Sequence, residues 1–367
     1  MEDIVYWLWL TGINGIGSVK AAKLLRIFQK PEMVWRAGKK ELESIQGIGK
    51  QDIERLLNKD LDTAKKVLYD TQRLNINIIS MNDSGYPRML KKIYDPPCVL
   101  YVRGRLPGEN NISIAMVGAR KASNYGRNAA EKIASSLAER GICIVSGMAR
   151  GIDTSSHRGA LKAGGKTAAV LGCGVDVVYP KENAELMNYI IKNGAVISEY
   201  PPATAPIQNN FPARNRIISG MTLGTIVVEA GERSGSLITV DFALEQGRDV
   251  FAVPGNIDTH YSIGTNNLIK QGAKMVTCIE DILEELQINN YQLCNTKDIK
   301  QINDPVYLDI TDEEKIVYSH LSSTPVHIDE LCGSIGYSVQ KINCILTLLE
   351  MKGLIRQIAG KHFVTAG

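Results

Sequence analysis

The chain has 367 residues, 44% of them hydrophobic, which is apolar material for two or three domains rather than one. A net charge of +3 excludes a globally basic coat, so any binding to a polyanion must rest on a local patch. No run of about 18 apolar residues occurs. The opening Met-Glu-Asp-Ile lacks a basic stretch leading into a long apolar one, so a cytoplasmic protein without membrane insertion is expected.

The first 80 residues read as a helical domain, with Trp7 and Trp9 in an apolar start and helical spacing from Leu10 to Phe28. Gly15-Ile16-Gly17 interrupts that pattern, and Gly47-Ile48-Gly49 repeats the interruption 32 residues later. Such paired units resemble helix-hairpin-helix motifs, whose turn can present amides to a phosphate. The same glycines also suit a plain tight connection, and both readings stand.

Residues 81–286 hold the core. Expected strands lie at 112–117, 142–146, 167–171, 195–198, 225–229, 250–253 and 274–276, alternating with helical stretches such as 127–140, 155–163, 184–192 and 237–246. Repeated βα units predict an α/β fold, a doubly wound parallel sheet with its ligand site at the carboxyl ends of the strands. Polar residues 287–304 read as a linker. Residues 305–367 follow with a Thr311-x-x-Glu314 capping box, helices at 328–335 and 339–351 stopped by Gly353, and a hairpin from 354–358 and 361–365, which together make a winged helix.

Four strand-to-helix junctions carry the candidate chemistry. Gly118-Ala119-Arg120-Lys121-Ala122-Ser123 and Ser146-Gly147 through Asp153 both outline phosphate cradles. Asp153 sits where a helix cap belongs, and His157 is expected to fix the loop by a hydrogen bond. Phe211-Pro212-Ala213-Arg214-Asn215-Arg216 places two guanidinium groups beside an aromatic ring, which suits a phosphodiester and its base. Ser234-Gly235-Ser236 opens the fourth helix, behind Glu229. The dinucleotide pattern G-x-G-x-x-G is absent from the first junction, which argues against NAD. Gly165-Lys166-Thr167 is no P-loop, because Ala160 stands where the first glycine belongs. Seven cysteines stand singly at 98, 143, 173, 278, 294, 332 and 344, without a C-x-x-C pair, and neither a cofactor nor a metal is expected.

Together these junctions resemble the DNA processing protein A (DprA, also Smf) family along nearly the whole chain. The resemblance implies an extended Rossmann-like core that dimerises, binds incoming single-stranded DNA, shields it from nucleases and helps load the recombinase RecA during natural transformation. It does not imply an enzyme. Carried onto this sequence, the family's basic pocket makes Arg120, Phe211, Arg214 and Arg216 the leading DNA contacts, with Lys121 and Lys181 secondary. Gly118, Ser123, Gly147, Asn215, Ser234, Gly235 and Ser236 supply amides and hydroxyls around them.

A rival is a nucleoside monophosphate phosphoribohydrolase on a related core. Its P-G-G-x-G-T-x-x-E motif, aligned at Gly235-Ser236, puts Thr239 where the catalytic Glu is needed. A second rival, a duplex-DNA regulator working through the winged helix, meets an unfavourable charge, since residues 305–367 carry 5 Lys/Arg against 7 Asp/Glu. Deleting residues 305–367 is therefore predicted to leave single-strand affinity within a few fold. A loss above about a hundredfold, roughly 2.7 kcal/mol, in a filter-binding titration would overturn that expectation.

Overall fold

The computed structural model describes residues 2–108, 111–288, 311–321, 325–352, 354–358 and 360–365. Two units emerge, Met1–Ile302 and Asn303–Gly367. Six helices open the first: α1 (Glu2–Gly12), α2 (Ser18–Phe28), α3 (Pro31–Arg36), α4 (Lys39–Glu43), α5 (Lys50–Leu57) and α6 (Asp62–Arg73). The two glycine turns precede α2 and α5 and brace each other. Arg55 of α5 donates to the Asn14 carbonyl at 2.9 Å, and Lys23 of α2 donates to the Gln46 carbonyl at 2.7 Å. Lys20 adds an ion pair to Asp52 at 2.7 Å. Trp7, Leu10, Leu24 and Leu56 are buried in a cluster that continues into Val99, Leu171 and Met187, so the helices share one hydrophobic core with the neighbouring sheet.

That sheet contains β1 (Asn77–Ser80), β2 (Val99–Gly104), β3 (Ser113–Gly118), β4 (Cys143–Ser146), β5 (Thr167–Leu171), β6 (Ala195–Ser198), β7 (Gly224–Glu229), β8 (Asp249–Ala252) and β9 (Lys274–Met275). The helices are α7 (Arg88–Lys91), α8 (Asn124–Glu139), α9 (Ile152–Lys162), α10 (Ala184–Asn193), α11 (Asn210–Gly220), α12 (Leu237–Glu245), α13 (Ile263–Lys270) and α14 (Glu280–Glu285). Strand order is β1-β2-β6-β5-β4-β3-β7-β8-β9. The seven expected strands all form, with ends displaced by no more than one residue. Two further strands, β1 and β2, pair antiparallel at one edge, against each other and against β6, so the sheet is parallel only from β6 to β9.

Alternation along β3 sends Ile114 and Met116 to one face, where α8 and α9 cover them, and Ala115 and Val117 to the other, under α11 and α12. From β3 the chain winds through β4 and β5 to β6, then returns to β7 on the other flank of β3. The strand order therefore reverses between β3 and β7, the place where open α/β sheets form their ligand crevice.

In the second unit α15 (Asp312–Ser319), β10 (Val326–His327), α16 (Ile328–Ile335), α17 (Val339–Met351), β11 (Ile355–Ile358) and β12 (His362–Thr365) make a winged helix. The Thr311–Glu314 capping box closes at 2.6 and 3.3 Å. Lys341 on α17 is ion-paired to Glu313 at 2.6 Å, and Lys352 just beyond it to Glu314 at 2.8 Å. The expected linker, apart from Gln287 and Ile288, and the helix stop at Gly353 lie outside the described residues. No helix among the described residues is long and apolar enough to cross a membrane.

His157 turns away from the loop it was expected to fix. Its Nδ1 lies 2.7 Å from Thr167 Oγ1, and that hydroxyl donates to the Ile144 carbonyl at 2.7 Å, so the imidazole is the donor and locks α9 to β4 and β5. Nε2 is buried without a partner. Burial, helped by the charge of Arg214, pushes the His157 pKa down to about 3. An unfolded chain titrates near the ordinary 6.5 and binds the proton first, so His157 leaves stability intact above that pH and removes it as pH falls toward 3. The slope is about 1.4 kcal/mol per pH unit. Urea unfolding at pH 7.5, 6 and 5 should show this slope in the parent and lose it in His157→Gln; equal slopes would contradict the assignment.

Candidate nucleic-acid interface

A cavity of about 990 Å³ opens at the carboxyl ends of β3 and β7. Its walls come from the Gly118–Lys121 loop, the start of α11 and the Gly231–Ser236 turn. Of the residues singled out in sequence, Gly118, Arg120, Lys121, Phe211, Arg214, Asn215, Ser234, Gly235 and Ser236 line it. Gly147 lines an adjoining hollow of about 40 Å³, which shares Arg120, Phe211 and Arg214 with the main cavity. Ser123, Lys181 and Arg216 line neither.

The two arginines of α11 have different surroundings. Arg214 is buried, and its Nη1 donates to the Gly147 carbonyl at 2.8 Å and to the Val170 carbonyl. Its Nε has no partner, and no carboxylate forms an ion pair with it among the described residues. Desolvation pushes the guanidinium down to about 10, with Asp153 favouring the charged form, so it keeps its charge at neutral pH. A Cβ at position 147 would overlap that guanidinium, so Gly147 admits Arg214 rather than offering a free cradle. Gly118 is equally tight: a Cβ there would lie 2.6 Å from Ile152 Cγ1.

Arg216, also buried, donates through Nη1 and Nη2 to the two Glu199 oxygens at 2.7 Å each, and its Nε lies 2.9 Å from Asp95 Oδ2. Burial alone would lower its pKa, but the bonds to Glu199 and the charges of Glu199 and Asp95 hold it above the ordinary value. This guanidinium ties α11 to the end of β6 and to the segment before β2.

The acidic groups near the cavity act as braces. Glu229 accepts from the Ser123 amide at 2.7 Å and from its hydroxyl at 2.6 Å, while Ser123 Oγ caps α8 by accepting from the Gly126 amide at 3.0 Å. Asp153 does not cap its own helix, whose N-cap is Gly151; it accepts from the Gly147 and Ala149 amides at 3.1 and 3.3 Å. Burial raises the Asp153 pKa, against the opposing pull of Arg214.

Phe211 is half-buried in a column: the Tyr179 ring stacks on it at 5.3 Å and 30°, and Arg120 Cζ lies 5.5 Å from its centroid. Tyr179, Arg233, His260 and Tyr261 also line the cavity, although sequence reasoning did not single them out. Arg233 adjoins the Ser234-Gly235-Ser236 turn and was within reach of that motif. The His260–Tyr261 pair, with centroids 3.9 Å apart, sits in a loop with no local pattern to announce it.

Fold and site thus define a Rossmann-like α/β protein with a cationic, aromatic-lined cavity at the reversal of strand order. Residues 77–287 match the model of the DNA recombination-mediator protein A family, residues 304–361 the DprA winged helix domain, and residues 9–59 a SAM-like helix-hairpin-helix tandem. The chain belongs to the DprA/Smf family. It is 31% identical to Protein Smf of Synechocystis over 99% of this chain and 98% of the relative. It is similar to the crystal structure of DNA processing protein A from Streptococcus pneumoniae, with a TM-score of 0.68 and 38% identity, covering 77% of this chain and 97% of that one. The Helicobacter pylori DNA processing protein A, described for its single-stranded DNA binding mode, matches with a TM-score of 0.52 and 28% identity over 58% of this chain and 95% of its own.

Removing one partner of a buried ion pair typically costs about 3–5 kcal/mol. Arg216→Ala is accordingly predicted to lower the urea midpoint steeply, and Glu199→Ala to do much the same, with a double mutant far less destabilised than the sum. An additive double mutant would show that the two groups are not coupled.

Proposed function

We propose that this chain binds single-stranded DNA in the switch-point cavity, protects incoming DNA and helps load the recombinase RecA in natural transformation and recombination. The observation that carries the DNA site is Arg214, a buried cation with no carboxylate bonded to it among the described residues, on a wall shared with Arg120 and Phe211. Such a group is left with charge and donors for an anion from solution. The adjacent Phe211 ring supplies a base platform that only an unpaired strand can use. The cavity volume lies near the top of the range of about 300–1,000 Å³ common for ligand sites, enough for a nucleotide unit rather than a duplex.

The expected contact residues fall into two groups. Arg120, Arg214, Lys121, Asn215 and the Ser234-Gly235-Ser236 turn face the strand, whereas Ser123 and Arg216 hold the walls in place. The DNA-binding core in this scheme is residues 81–286 together with β1 (Asn77–Ser80), which the sheet takes from the expected helical domain of 1–80; 287–304 serve as a linker and 305–367 as the winged helix. In this proposal the chain acts as a cytoplasmic homodimer that hands its strand to RecA. Binding rather than chemistry is favoured because Asp153 and Glu229 are engaged by amides and by Ser123, and Thr239 offers no carboxylate.

Loss of one charge-assisted bond of about 1.5–3 kcal/mol predicts roughly tenfold to hundredfold weaker binding for Arg120→Ala. The slope of log K against log salt should flatten by about 0.7 for each phosphate contact removed. Arg214→Lys, which keeps charge in a smaller head group, is expected to weaken binding with less risk to folding than Arg214→Ala. Phe211→Ala should weaken binding with the slope unchanged. Salt-titrated fluorescence anisotropy on an oligothymidylate, with melting curves for each variant, measures all of these. Folded Arg120→Ala and Arg214→Lys proteins that bind like the parent would place the DNA elsewhere.

A further inference from the structure

Phe211 is half-buried, with part of its ring taken up by neighbours. Tyr179 stacks on it, Arg120 lies over it, and Gly172 packs so close that a Cβ there would stand 2.9 Å from Phe211 Cδ1. Tyr179 is different: the residue is 40% exposed, and it belongs to the lining of both hollows. It therefore ends the Arg120–Phe211–Tyr179 column on the side facing solvent, presenting an aromatic ring to anything leaving the cavity there.

The charges beside Tyr179 fit a nucleic-acid strand. Lys181, two residues on, is exposed at the start of the 3-10 turn Lys181–Asn183 and makes no ion pair among the described residues. Arg150 lines the small hollow together with Tyr179 and is held by Glu182 on the same turn. Exposed ion pairs of this kind are weak, so a phosphate can replace Glu182 at Arg150 at little cost. A stacking ring flanked by one unpaired and one exchangeable cation is the pattern that tracks successive nucleotides of a single strand.

We infer that Tyr179 forms a second, outer nucleotide subsite: a base leaving the cavity stacks on Tyr179, while Arg150 joins Lys181, already a contact that the family resemblance implies, on its phosphate. This deepens the single-strand reading above and rests on it. The outer subsite extends the bound strand past the rim, toward the turn before α10.

The test uses the full chain and oligothymidylates lengthened one nucleotide at a time. Tyr179→Leu should leave the shortest oligonucleotides bound as in the parent and remove the affinity gained on reaching the outer subsite. The loss should be between about fivefold and a hundredfold, the span of base–aromatic stacking. Tyr179→Phe should keep the gain. Lys181→Ala should flatten the salt slope by about 0.7, and only for oligonucleotides long enough to reach it. Equal weakening at every length in Tyr179→Leu would mean that the ring merely supports Phe211, and no weakening at any length would mean that no base reaches it; either result overturns the outer subsite. The parent reading fails separately, if Arg120→Ala leaves the shortest oligonucleotides bound normally.

Discussion

Burying a guanidinium with no carboxylate bonded to it is expensive, and the cavity of this protein is organised around one. Arg214 leaves water to meet two main-chain carbonyls, those of Gly147 and Val170, which offer partial charge but no neutralisation. Position 147 can hold only glycine if that approach is to survive, and Asp153 Oδ2 accepts the Gly147 and Ala149 amides of the same loop. Desolvation lowers the affinity of Arg214 for its proton yet leaves it cationic at neutral pH. The guanidinium is thus only partly compensated within the protein, a preorganised arrangement whose cost is met by the rest of the fold.

That support comes from a neighbour two positions along the same helix. Successive residues of an α-helix turn by about 100°, so Arg214 and Arg216 point to nearly opposite sides of α11. One reaches the cavity and the other the Glu199–Asp95 pair. In sequence the two look like a matched pair of phosphate ligands, because spacing alone does not reveal which side of a helix is walled by carboxylates. Ser123 is a similar case: its hydroxyl reads as a cradle donor until Glu229, 106 residues away, is seen to take it.

The parallel strands were legible because each is a short β-branched run bounded by turn residues and followed by an amphipathic helix. The antiparallel strands β1 and β2 were not, since a four-residue and a six-residue strand joined through the short α7 carry no βα rhythm. The cradles after β3 and β7 were visible as motifs. Tyr179, His260 and Tyr261 come from loops whose place on the rim depends on long-range packing that no local pattern encodes.

The helix-hairpin-helix repeat carries a different implication. Lys23 of the first unit fastens the turn of the second, and Arg55 of the second fastens the turn of the first. Neither half holds its own loop by these bonds, so a change in one is felt as looseness in the other. Inheritance should then act on the two halves jointly: drift in either cation selects for a compensating change across the pair, and the repeat should persist or be lost as a whole.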